Sequence, residues 1–155
     1  MKKKAIAITA AAIMSFGTVC ATPAAAYHLI PTSTNFTGTG KTSATKNGIT
    51  LPCTANFTGK TTAAGVGYIT SGSFTGQVGC TSVGLGGLPW KAVAKTATKV
   101  VILNVSFTSP IGNCGPGNIP TKLSSGVIKF TNVPLAGGCT VSGSIKTSPT
   151  ISIVP

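Results

Sequence analysis

Asn47-Gly48-Ile49-Thr50-Leu51-Pro52-Cys53-Thr54-Ala55-Asn56-Phe57-Thr58 holds a turn and the strand that leaves it. Asn47 and Gly48 both tolerate the positive φ of a type I′ turn, so the pair marks a two-residue hairpin. Beyond it Ile49, Leu51, Cys53, Ala55 and Phe57 alternate with Thr50, Pro52, Thr54, Asn56 and Thr58. A period of two with one apolar face predicts a half-buried β-strand. Pro52 cannot donate to a ladder and directs that strand toward a sheet edge.

The same stretch opens the first of two similar segments, Cys53 to Cys80 and Cys114 to Cys139. Each reaches a Gly-x-Ile, Gly67-Tyr68-Ile69 or Gly126-Val127-Ile128, and closes on Gly-Cys-Thr. The step from that first glycine to the closing cysteine is 13 positions in both. A shared spacing suggests duplicated or pseudo-symmetric units.

Further out, period-two alternation recurs, and outside residues 1–26 no segment carries a 3.6-residue apolar stripe. Val100 to Phe107 predicts the strongest strand, with Val101, Leu103, Val105 and Phe107 on one face and Val100 and Ile102 on the other. Gly65 to Thr75, Val127 to Val133, Cys139 to Lys146 and Thr150 to Val154 read as further strands, and Pro110 to Pro120 as a Gly/Pro-rich loop held by Cys114. Many short strands with frequent turn signals predict an all-β fold, an antiparallel β-sandwich or barrel-like single domain.

The N-terminus reads differently. Lys2, Lys3 and Lys4 precede an apolar run from Ala5 to Val19 and the small residues Ala24-Ala25-Ala26. That is the pattern of a signal peptide over residues 1–26, leaving a β domain over 27–155. Four cysteines then remain, Cys53, Cys80, Cys114 and Cys139, an even number that predicts two disulfides in an oxidising compartment. The repeat favours Cys53–Cys80 with Cys114–Cys139, and a crossed pattern stays open.

The sequence contains no Asp or Glu, and all 12 of its basic residues are Lys. Triad hydrolysis needs an acid to orient the base, glycoside cleavage needs paired carboxylates, and Ca²⁺ or Mg²⁺ sites need carboxylate oxygens. The only histidine is His28, and disulfides would consume the thiolates that zinc requires. The expectation is a protein that is not an enzyme and has no catalytic residues, no metal and no cofactor. Without Arg or a cluster of exposed aromatics, no specific nucleic-acid recognition is expected either.

A Lys-only surface favours anionic partners, such as cell-surface lipid or polysaccharide. One local candidate stands out: Leu88 and Trp90 beside Lys91, Lys95 and Lys99, spaced four apart. As a contact surface, the indole would anchor and the lysines would meet anionic groups. The alternative is a solvated edge strand whose lysines prevent sheet-to-sheet pairing.

The landmarks Leu51-Pro52-Cys53-Thr54-Ala55-Asn56-Phe57, Ile69-Thr70-Ser71-Gly72-Ser73-Phe74-Thr75-Gly76, Leu88-Pro89-Trp90, Cys114-Gly115-Pro116 and Cys139-Thr140-Val141-Ser142-Gly143-Ser144-Ile145 occur in this order. The chain thereby resembles the PraA/PraB family of alkane oxidation activators. The resemblance implies a small protein exported by a Gram-negative bacterium to its surface or surroundings. It also implies a link to growth on hydrocarbons and to biofilm, and it supplies no catalytic residues. The favoured expectation is a non-enzymatic amphiphile that binds or disperses hydrocarbon and does not span a membrane. Its competitor is a fibre subunit or biofilm adhesin that self-assembles through the lead from Tyr27 to Gly40.

Overall fold

A computed structural model describes residues 26–155; the signal-peptide segment expected over 1–26 lies almost wholly outside the described residues. Eleven strands follow in order: β1 (His28–Ile30), β2 (Asn35–Lys46), β3 (Ile49–Thr61), β4 (Gly67–Gly76), β5 (Gly84–Gly86), β6 (Trp90–Ala94), β7 (Lys99–Ser109), β8 (Gly112–Ser124), β9 (Val127–Leu135), β10 (Cys139–Ser148) and β11 (Ser152–Val154). Eight of them, in the spatial order β7-β6-β4-β3-β2-β10-β9-β8, form an antiparallel sheet that closes where β8 pairs with β7. The all-β expectation holds, and of its two forms the molecule takes the barrel. At this strand number the interior is just wide enough for side chains to fill it.

Every wall strand turns one face inward. On β3, Leu51, Cys53, Ala55 and Thr61 are buried while Pro52, Thr58 and Lys60 are exposed. Asn47 and Gly48 have φ 52° and 75°, and the hairpin pairs Lys46 with Ile49. β3 is an interior strand of the sheet, between β2 and β4. Pro52 is accommodated because pairing with β4 ends at Cys53 opposite Gly76, one residue short of it.

Several strands depart from simple alternation. On β7 the inward residues are Val100 and Ile102, then Val105 and Phe107. The phase changes at Asn104, which has φ 54° and donates its backbone N–H to Asn118 Oδ1 at 3.0 Å. Asn132 does the same on β9, with φ 48° and its N–H on Ser142 Oγ at 2.9 Å. Each is a β-bulge, which adds a residue and swaps the faces beyond it. On β4 a register shift opposite Thr58 and Gly59 turns Gly67 and Ile69 inward ahead of Gly72 and Phe74, leaving Tyr68 outside. Pro110 to Pro120 was expected as a loop but mostly joins strand β8. Its exposed Pro116 and Pro120 precede the paired stretch with β9, which begins at Lys122, so their missing N–H groups break no ladder there.

Phenylalanines in the wall face glycines. Phe36 is paired with Gly59, Phe57 with both Gly38 and Gly72, and Phe130 with Gly143. A Cβ on Gly72 would stand 2.5 Å from Phe57 Cδ1, and one on Gly143 2.5 Å from Phe130 Cζ. The ring therefore occupies the space that a partner side chain would take.

The ends of the barrel differ. Cys53–Cys80 and Cys114–Cys139 are both formed and lie toward the same end, with Cα–Cα distances of 5.7 Å. The opposite end is covered by β1 paired with β11, which bring Leu29 and Ile151 into the core. β2 is hydrogen-bonded along both sides, to β3 and β10. Within this structure the lead from Tyr27 to Gly40, which the competing reading offered to a neighbour, is paired inside the chain through β1 and β2. Closure also removes most of the edge at which such addition would occur.

Candidate functional site

The Leu88–Lys99 stretch is the first place to look. Trp90 to Ala94 is strand β6, residues 95–98 form a turn, and Lys99 begins β7. On β6 the inward positions are Trp90, Ala92 and Ala94, and the outward ones are Lys91 and Val93. Trp90 is therefore buried, only 4% exposed, and its Nε1–H donates to the Gly86 carbonyl at 2.8 Å. The indole lies against Phe57 at 6.2 Å between ring centroids, and Phe57 meets Phe74 edge-on at 5.7 Å. Leu88 is half-buried against the same core. The expected surface anchor is thus corrected: these two side chains face the interior, and only Lys91, Lys95 and Lys99 of the set are on the outside.

Behind Trp90 lies a cavity of about 80 Å³ lined by Phe57, Phe74, Leu85, Val105 and Phe107, among others. An apolar void that admits benzene is about 150 Å³. This one is roughly half that size and too small for a liquid alkane chain.

On the exterior, the two most exposed large apolar side chains lie at one end of the barrel and most described lysines toward the other, where Tyr27, 38% exposed, precedes β1. At the disulfide end the turns are Asn47–Gly48, Gln77–Gly79, Pro110–Ile111 and Ala136–Gly138. Val78 is 99% exposed and Ile49 59% exposed there. The one lysine at this end, Lys46, donates its ammonium to the Asn113 carbonyl at 2.9 Å. Lys41 lies midway along β2, and the remaining described lysines lie toward the other end: Lys60, Lys91, Lys95, Lys99, Lys122, Lys129 and Lys146. With no Asp or Glu in the sequence, no acidic side chain neutralises them. Among the described residues the disulfide end carries two exposed apolar side chains and one lysine, and most lysines lie toward the other end.

Within the cationic end, register brings together lysines that are distant in sequence. Lys99 on β7 is directly opposite Lys122 on β8, which is directly opposite Lys129 on β9. Lys60 and Lys91 flank Tyr68 across β3, β4 and β6. Sequence spacing groups Lys99 with Lys91 and Lys95, whereas its cross-strand neighbour is Lys122. Lys99 and Lys122 pair near the open end of the long β7–β8 hairpin, too far apart in sequence for local spacing to show it.

The described residues bring no group of three His, Cys, Asp or Glu together. No curated protein and no solved structure matches the chain. The family described as alkane oxidation protein activator PraA/PraB-like matches residues 1–155, the whole length. This chain, a barrel with two disulfides toward one end and most of its described lysines toward the other, belongs to the PraA/PraB-like family of alkane oxidation protein activators.

Proposed function

We propose that the protein is an exported, non-enzymatic accessory of alkane oxidation that works at the hydrocarbon–water interface, at or beyond the surface of a Gram-negative cell. The observation that carries this reading is the axial separation of Val78 and Ile49 from the lysine-rich end. An insoluble alkane becomes more available when its surface is coated and divided. A coating protein needs an apolar region toward oil and charge toward water, so that coated droplets repel one another. Export is supported by the two disulfides, which persist in oxidising compartments. The closed wall keeps the fold intact while Ile49 and Val78, both exposed, meet the oil.

The experiment is a measurement of hexadecane–water interfacial tension with protein purified with both disulfides formed. Micromolar protein lowers the tension and stabilises an emulsion. No effect at that concentration would overturn the reading.

A further inference from the structure

We infer that the outer face of β7, β8 and β9 at the cationic end docks on a phosphate-bearing lipid surface. Lys99, Lys122 and Lys129 are all exposed and stand in one register row across these three strands. Neighbouring strands lie about 4.8 Å apart, so the three Cα atoms span roughly 10 Å. Like charges directly opposite each other destabilise a sheet, and this chain has no acidic side chain to offset them. Lys146 joins the group from β10, one outward step beyond Ser144, the partner of Lys129. A row that works against the fold is expected where a surface serves a ligand.

The chemistry of the row selects the partner. Lys binds phosphate as a point charge without the bidentate geometry of Arg. Flexible lysine stems suit a plane of mobile phosphates better than one fixed ligand. Beside the row, on the same outer face, lies a second one of half-buried or exposed apolar residues, Val93 opposite Val101 and Val101 opposite Pro120. Cations next to an apolar strip match the phosphate level and the acyl boundary of a lipid surface, whereas a soluble polyanion has no use for the strip. The proposal does not rest on the hydrocarbon reading, since it concerns the opposite end of the molecule.

The test is sedimentation of the protein with vesicles of phosphatidylcholine alone and of an equal mixture of phosphatidylcholine and phosphatidylglycerol. The protein binds the mixed vesicles and not the neutral ones, and added salt weakens binding. Each lysine near an anionic surface is worth about a five-fold change in partitioning, so Lys99→Gln/Lys122→Gln lowers it about 25-fold. Lys60→Gln/Lys91→Gln removes the same charge from another part of the wall and lowers it by less than about five-fold. Equal losses in the two variants would overturn the proposal, because net charge alone would then explain binding. Binding to neutral vesicles would also overturn it, assigning membrane contact to the apolar end. Capture by soluble polyphosphate without capture by mixed vesicles would overturn it in favour of a free polyanion. The substituted side chains are exposed, so circular dichroism of each variant verifies an unchanged fold.

Discussion

Trp90 illustrates how a side chain's role depends on the phase of its strand. Read along the chain, an indole beside lysines resembles an exposed anchor. In the fold, the inward register of β6 places it against Phe57, with its N–H satisfied by the Gly86 carbonyl. Trp90→Ala therefore removes a large buried side chain and should cost about 3–5 kcal/mol of stability in a denaturant titration. A change below about 1 kcal/mol would mean that the ring is not part of the core. Asn104 and Asn132 are a related case. Asn tolerates positive φ, but that tolerance does not announce a bulge within an apolar run. For this reason the inward face of β7 could be half assigned from sequence and not wholly.

At the scale of elements, the hairpin at Asn47-Gly48 and the alternation through β3 were legible because turn chemistry and period are local. The disulfide pairing favoured by the Cys53–Cys80 and Cys114–Cys139 repeat is also the one found. The closing pair of the barrel, β7 with β8, and the row Lys99–Lys122–Lys129 were not legible, since Pro110 to Pro120 reads as a Gly/Pro-rich loop and hides most of β8, the strand between the other two. Both disulfides fasten the end that presents the apolar tips. Replacing either pair by serines should reduce stability by roughly 3.5 kcal/mol on the chain-entropy account, given sequence separations of 27 and 25. Equilibrium unfolding of each double variant checks this. A loss near zero for one pair would show that its end is held by the strand ladder alone.

The whole molecule lacks the groups that usually make proteins acid-sensitive. A carboxylate with a depressed folded pKa contributes stability above its unfolded pKa, and that stability disappears as pH falls. No Asp or Glu exists here to contribute such stability, so there is none to lose. Circular dichroism should stay nearly constant from neutral pH to about pH 2, and cooperative unfolding in that range would contradict this account.

The separation of apolar tips from lysines is a property of the entire barrel, visible only once alternate turns are assigned to opposite ends. The proposed action at oil rests on that separation, and moving charge between the two ends tests it. Ile49→Lys/Val78→Lys puts two charges on the apolar end at exposed positions, while Ala97→Lys/Ser124→Lys adds the same charge at the cationic end. The measurement is hexadecane–water interfacial tension for the two variants beside the unaltered protein. The account predicts that Ile49→Lys/Val78→Lys loses most of the tension-lowering effect and that Ala97→Lys/Ser124→Lys retains it. Equal tension for both variants would contradict the assignment of the disulfide end to the oil.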